Sequence, residues 1–305
     1  MRCWIGHLGL ATGGLLLAAC TTATPVDQVR AFANASEAFN AASQPLLDEV
    51  AVAERAQAAD LIANPPRDAT NVLVVPGASG DDEPRRVWLD LPESQVLALA
   101  TIGDPPATAA FRKGVGAIKH YASVLVLLAE GQNIEAARAE LGILATKLAD
   151  VAALVPGAQA APGLVTPLLG ALGPLIDDAA RAQNAAELRR LVLALAPQIH
   201  ELNAKLRAGA EPLFRTLTEQ QRGVFIAGGD ANAAIAQIDA YRVAFANWLV
   251  LLDLVDQATD QLTDAVATPG NVATLASLAE LSTRITTYAE GSRRALAVLR
   301  AGPQS

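Results

Sequence analysis

Two histidines, His120 and His200, are the side chains beyond the first twenty residues best suited to acid-base or metal chemistry. Imidazole titrates near neutral pH and is the commonest metal ligand in proteins. Neither histidine follows a glutamate by three residues, as in di-iron helical bundles, and neither begins a His-Glu-x-x-His zinc motif. Glu201 is next to His200, but adjacent side chains on a helix do not converge. We therefore predict that both histidines occupy surface or capping positions on helices.

A row of acidic residues is the second pattern that could bind a ligand or take part in chemistry. Asp253, Asp256, Asp260 and Asp264 are spaced by three, four and four residues, which places them on one helical face. We expect this face to be solvated or salt-bridged, with Arg284 of the next antiparallel helix opposite Asp253 and Asp256. The alternative left open is a site for calcium or for a basic partner.

Other catalytic and cofactor motifs are missing from the sequence. There is no Gly-x-Ser-x-Gly nucleophile elbow, no Cys-x-x-Cys-His haem motif, and no methionine after Met1 to act as an axial haem ligand. Gly114 and Gly116 fall in a helical pattern, so close helix packing is the expected use of both. We predict no enzyme activity, no catalytic residues, no cofactor and no metal.

The first twenty residues have the layout of an export signal. Arg2 is their only charge, a largely apolar run extends from Ile5 to Leu17, and small residues lead to Cys20. The run is shorter than the roughly 20 apolar residues that span a bilayer. An ordinary signal peptide with a cysteine near its cleavage site is the alternative.

Leu17-Ala18-Ala19-Cys20 resembles the lipobox of bacterial lipoproteins at all four positions. The resemblance covers this peptide alone, and no family is recognised for the rest of the chain. It implies cleavage between Ala19 and Cys20, a diacylglycerol thioether on Cys20, and a further fatty acid such as palmitate on the new amine. Two or more acyl chains give stable membrane anchoring. Thr21, which is not aspartate, implies the outer membrane, facing the periplasm, if the organism is Gram-negative.

Composition narrows the class of the mature protein. The chain has 23 Lys and Arg against 31 Asp and Glu, and removal of residues 1–19 takes away one cation, Arg2. Such an acidic protein is a poor candidate for binding nucleic acid or anionic lipid. Cys3 leaves with the signal, so Cys20 is the only mature cysteine and no disulfide is expected. Alanine is about a fifth of the chain and strand-like alternation is rare, which predicts an all-α fold.

Helical periodicity predicts an elongated antiparallel bundle of six or seven helices over residues 26–301, after a tether at 20–25. The first helix is expected from Pro25 to Ala63, with a kink or break at Pro45. A proline-rich insertion at 64–106 could contain a small β-hairpin, from 72–75 and 85–89. Of the remaining predicted helices, one begins at about Ala107 and ends at 131–133, and the next begins at the cap Asn133 and includes Val151. The others are 163–182, 185–226, 230–267 and 270–301, with kinks at Pro197 and Pro212 and caps at Asn184, Asp230 and Thr268.

The stretch from Val151 to Ile176 has no charged residue and contains four prolines. Its prolines and glycines argue against a membrane span, since they would leave backbone groups unsatisfied in lipid. Two possibilities stay open for this stretch, a part of the core or an apolar contact surface.

Taken together, these patterns predict a non-enzymatic envelope lipoprotein, anchored through Cys20, that binds another protein or spaces a complex. The alternative is a carrier for an apolar small molecule, which would need an occluded cavity lined by Leu and Val.

Overall fold

Helices dominate the part of the chain that a computed structural model describes, which is residues 26–65, 70–75, 85–89, 93–131, 134–154, 185–268 and 272–301. The helices in this part are α1 (Val26–Ala63), α2 (Glu93–Leu99), α3 (Pro106–Ala129), α4 (Ile134–Leu154), α5 (Ala185–Ala208), α6 (Ala210–Ile226), α7 (Ala231–Ala267) and α8 (Val272–Ala301). The predicted all-α bundle is confirmed. None of the helices described here is both long and apolar enough to cross a membrane.

One of the predicted interruptions is present in the structure. The predicted helix 185–226 is divided into α5 and α6 at Gly209, three residues before Pro212, because a proline at 212 cannot donate to the carbonyl of residue 208. Pro197 lies inside α5, and α1 continues through Pro45 over 38 residues without the predicted break. A Cβ atom at position 209 would overlap the ring of Phe111 on α3, so Gly209 also leaves space for this side chain.

The helices share one apolar core, and its centre is Trp248 on α7. The indole lies 6.4 Å from the ring of Phe39, 6.0 Å from Phe111 and 6.3 Å from Phe245, measured between ring centroids. Its Nε1–H donates to Ser43 Oγ at 2.9 Å. These contacts connect α7 to α1 and α3, and Phe245 extends the aromatic cluster to Phe214 on α6 at 5.6 Å.

Helices α1 and α3 are antiparallel, and polar contacts along their shared edge fix the register. Arg30 near the start of α1 pairs with Glu130 at the end of α3 at 2.8 Å. At the other end, the Glu54 carboxylate accepts from the N–H groups of Ala107 and Thr108 at 2.9 and 3.0 Å. Glu54 thereby caps α3, whose own N-cap, Pro105, makes no side-chain cap bond. Between these ends lie Glu37–Lys119 and Asp48–Arg112.

The predicted hairpin in the insertion is also present. Strand β1 (Val72–Val75) pairs antiparallel with β2 (Arg85–Trp88), in a register that places Val72 opposite Trp88. The Trp88 indole N–H donates to the carbonyl of Leu61 at 3.3 Å. The hairpin is therefore attached to the C-terminal end of α1.

Of the predicted caps, Asp230 is confirmed. Its carboxylate accepts from the N–H groups of Asn232 and Ala233, both at 3.1 Å, at the start of α7. Thr268 follows α7 as its C-cap residue. Asn133 and Asn184 lie outside the described residues.

The buried Trp248–Ser43 hydrogen bond gives a stability prediction. Ser43→Ala should lower the free energy of unfolding by about 1–3 kcal/mol, because it leaves the buried indole N–H without an acceptor. In the Trp248→Phe background, the same substitution should cost about 1 kcal/mol less, since the donor is already gone. Urea denaturation followed by circular dichroism measures all four proteins of this cycle.

A matched control is Ser123→Ala, because Ser123 Oγ bonds only the carbonyl of Lys119 in its own helix. This control should change stability by less than about 0.5 kcal/mol. Strict additivity of Ser43→Ala and Trp248→Phe would contradict the assigned hydrogen bond.

Candidate functional site

A cluster of facing polar side chains lies between α5 and α7, and it includes three of the four aspartates of the predicted acidic row, Asp253, Asp256 and Asp260. Asp253 pairs with Arg207. Asp256 Oδ1 lies 2.8 Å from His200 Nδ1, and Asp260 Oδ1 lies 3.2 Å from His200 Nε2. The prediction that this face is salt-bridged is confirmed.

The predicted partner helix was wrong. Arg207 and His200 on α5, rather than Arg284 on α8, face the aspartates. Helix α8 does pack along α7, as the hydrogen bond from Ser277 Oγ to Gln261 Oε1 at 2.6 Å shows. The acidic row, however, lies on the face of α7 that is turned toward α5.

His200 has a carboxylate on each side of its ring. Asp256 holds Nδ1, which is how a carboxylate orients a catalytic imidazole, but Asp260 occupies the Nε2 side, where a substrate proton would have to be. The imidazole is half-buried, with Nδ1 in hydrogen-bond contact with Asp256 and Nε2 within ion-pair distance of Asp260. The arrangement holds the ring between α5 and α7.

Metal binding needs several ligand atoms converging on one point. The two carboxylates here lie on opposite nitrogens of one ring, so they do not converge. No group of three or more His, Cys, Asp or Glu side chains in the described ranges could hold a metal ion.

Asn203 anchors the cluster to the core. This side chain is 2% exposed, and its Nδ2 donates to the Leu252 carbonyl at 2.9 Å and to Asp256 Oδ1 at 3.0 Å. Both hydrogen bonds come from Nδ2, whereas the buried Oδ1 has no partner, so the alignment of the two helices places two acceptors of α7 at this nitrogen. Asn203 and Asp256 therefore set the register of α5 against α7.

His120 forms a second contact of the same kind. Its Nδ1 lies 2.5 Å from Glu140 Oε2, which joins α3 to α4. The partners of both histidines were not predicted, because helical spacing relates only residues that are close in sequence. Glu140 is 20 residues from His120, and Asp256 is 56 residues from His200, and neither separation leaves a local pattern.

An open groove of about 420 Å³ lies beside His120's helix, between α1, α3 and α4. Its walls combine small and apolar residues with charged ones, among them the ion pair Glu37–Lys119. The lining residues are Ala33, Asn34, Glu37, Lys119, Ala122, Ser123, Val126, Leu127 and Glu140. A carrier of apolar molecules needs an occluded, apolar cavity. This groove is open and bordered by charges, so it gives the carrier hypothesis no support.

Close helix packing accounts for Gly114, as predicted. A Cβ atom at 114 would lie 2.9 Å from Leu206 Cδ2 on α5. Nearby, burial raises the pKa of the Tyr121 hydroxyl well above its ordinary value. That phenol stays neutral and packs edge-on against Phe32, with ring centroids 5.7 Å apart.

Several predicted features lie outside the described residues. These are the cleavage site between Ala19 and Cys20, the lipidated Cys20 itself, and residues 155–176 of the uncharged stretch; Val151–Leu154 belongs to the end of α4. Comparison with protein-family models, with curated proteins and with solved structures finds no match for this chain.

Asp256 should matter more for stability than its neighbour Asp260. Asp256→Asn should lower the free energy of unfolding by about 1 kcal/mol, because its carboxylate accepts from both His200 and the buried Asn203. Asp260→Asn, whose side chain is 68% exposed, is the matched control and should cost less than about 0.5 kcal/mol. Urea denaturation compares the two variants, and an equal loss in both would contradict the role given to Asp256.

Calcium should leave the melting temperature unchanged. Arg207 pairs with Asp253, and His200 contacts Asp256 and Asp260, so a cation would have to displace these side chains. A bound ligand would raise the stability by about 2.7 kcal/mol at a hundredfold excess over Kd. Thermal melts in EDTA and in millimolar calcium test this expectation. A calcium-dependent rise that disappears in Asp256→Asn/Asp260→Asn would establish a cation site instead.

Proposed function

We propose that this chain is a lipid-anchored envelope protein that acts without catalysis, as a helical scaffold that holds a protein partner at a distance from the membrane. The anchor would be Cys20, on the lipobox resemblance of Leu17-Ala18-Ala19-Cys20. Thr21 after the cysteine favours the outer membrane of a Gram-negative organism, with the bundle facing the periplasm.

The observation that carries the proposal is the position and length of α1. The helix begins at Val26, six residues after Cys20, and runs for 38 residues. Five residues of tether reach at most roughly 18 Å, whereas an α-helix of this length extends about 57 Å. A lipid on Cys20 would therefore hold one end of the bundle near the bilayer, and the C-terminal end of α1 could stand far from it.

The interior of the bundle supports a scaffold. One core of buried side chains includes residues of α1 and of α3 to α8. Polar contacts also fix the alignment of α1 against α3 and of α5 against α7. We expect a bundle joined in this way to keep its two ends at a constant distance from each other. The contacts of the histidines favour a structural role for both, since His200 joins α5 to α7 and His120 joins α3 to α4.

Cys20→Ser should abolish incorporation of a fatty-acid analogue during metabolic labelling, because the thioether needs sulfur. The variant should also accumulate as uncleaved precursor. The matched control is Cys3→Ser, which changes the other cysteine of the chain and should label normally. Equal labelling of Cys20→Ser and the unmodified protein would overturn the lipid-anchor proposal.

A further inference from the structure

The outer face of the hairpin is an apolar surface at the end of α1 that is far from the tether. The register pairs Leu73 with Val87 and Val75 with Arg85, and paired residues share a face of the sheet. Leu89 follows in the same alternation, and its N–H donates to the Asn71 carbonyl at 2.8 Å. We define the hairpin face as Leu73, Val75, Arg85, Val87 and Leu89.

These side chains are open to solvent. Leu73 is 50% exposed, Val75 39%, Val87 44% and Leu89 65%. The opposite face holds Trp88, which is half-buried and bonded to Leu61, so the hairpin is attached to α1 through the other side. Apolar sheet faces are normally covered by a second layer of structure. Within the part of the chain described here, no second layer covers the hairpin face.

We propose that the hairpin face binds an acidic amphipathic segment of a partner protein. Apolar side chains of that segment would pack on the four aliphatic residues, and an Asp or Glu would pair with Arg85. Charge complementarity supports this choice, because Arg85 is exposed among the aliphatic side chains and makes no ion pair with any described residue. A guanidinium at the edge of an apolar surface recognises a carboxylate through paired N–H donors.

A second copy of the chain fits the hairpin face less well. Two-fold pairing of this face would bring two Arg85 guanidinium groups into one small contact, and like charges oppose association. The four aliphatic side chains expose on the order of 300 Å², which is less than the roughly 800 Å² that each copy of a stable dimer buries; a face of this size suits a short segment rather than a second folded copy.

The position of the hairpin argues against contact between the hairpin face and the membrane that would hold Cys20. The hairpin is bonded to Leu61, near the end of α1, and Val26 at the other end follows the tether. This inference rests on the proposed function for the identity of the partner as a protein. The hairpin face itself is independent of the lipid anchor, so the two proposals can fail separately.

The test uses the full mature protein in phosphatidylcholine nanodiscs and two synthetic amphipathic peptides. Both peptides carry the same leucine stripe, one with glutamates and the other with lysines on its polar face. Fluorescence anisotropy of the labelled peptides should show at least tenfold tighter binding of the acidic peptide. Arg85→Glu should reverse this preference, and Arg85→Lys should preserve it.

Variants of the aliphatic residues complete the experiment. Leu73→Ser/Val87→Ser should abolish binding of the acidic peptide while leaving the helical melting transition in place, because both side chains are exposed in the folded protein. The control Ile226→Ser changes an apolar residue that is 84% exposed at the end of α6, and it should bind normally. Equal binding of the two peptides, or binding that survives Leu73→Ser/Val87→Ser, would overturn the proposal.

Two further measurements test the other possible occupants of the hairpin face, a second copy of the chain and a lipid surface. Sedimentation should show no self-association, and anionic vesicles added in flotation assays should not capture the protein. Dimerisation or vesicle capture that is lost in Leu73→Ser/Val87→Ser would assign the face to a second copy or to lipid, and would contradict the peptide proposal. If labelling finds no lipid, the same titrations on the free chain still decide whether the hairpin face binds acidic segments.

Discussion

The buried contact between Trp248 and Ser43 is the interaction on which the rest of the bundle depends. Only 4% of the chain is aromatic, and much of this small number is concentrated around one indole. Phe39, Phe111 and Phe245 pack on Trp248 from three helices, and alanine-rich surfaces elsewhere let the helices approach closely. Aromatic side chains contribute the largest buried areas in a core. Because the indole N–H must also reach Ser43, the cluster fixes the alignment of α7 on α1 as well as its distance.

Polar contacts then select the alignment of the remaining helices rather than supply most of the stability. Exposed ion pairs such as Lys119–Glu37 contribute about 0–1 kcal/mol each, which is little beside the burial of the core. A wrong register, however, would leave Asn203 buried without partners and α3 without the cap from Glu54. The histidines belong to this same system. His200 contacts two aspartates across α5 and α7, and His120 contacts Glu140 across α3 and α4, so both side chains join neighbouring helices.

Much of the fold could be predicted from the sequence, because periodicity and capping are local. Helix α1 was predicted from Pro25 to Ala63 and begins one residue later; the Asp230 cap and both strands were predicted as well. The interruption of helix 185–226 was predicted at Pro212 and lies three residues earlier, at Gly209. The contact of Gly209 with the ring of Phe111 was not predictable, because the two residues are about a hundred apart in the sequence. The error over Arg284 has the same origin. Periodicity identifies which face of a helix is buried or charged, but it does not identify which neighbouring helix covers that face.

The insertion differs from the bundle in how it exposes apolar side chains. On most helices, exposed aliphatic residues such as Val52 and Val243 are scattered singly, which is normal for a protein surface. The consecutive residues Val224, Phe225 and Ile226 at the end of α6 are an exception. Between residues 73 and 102 they follow one another closely: Leu73, Val74, Val75, Val87, Leu89, Leu97 and Ile102. Proline and glycine interrupt the helical pattern in this stretch, so a rigid bundle carries one non-helical, apolar structure at the end of its first helix. Function on a rigid scaffold is commonly concentrated in such an insertion, and the helices determine where that insertion is held.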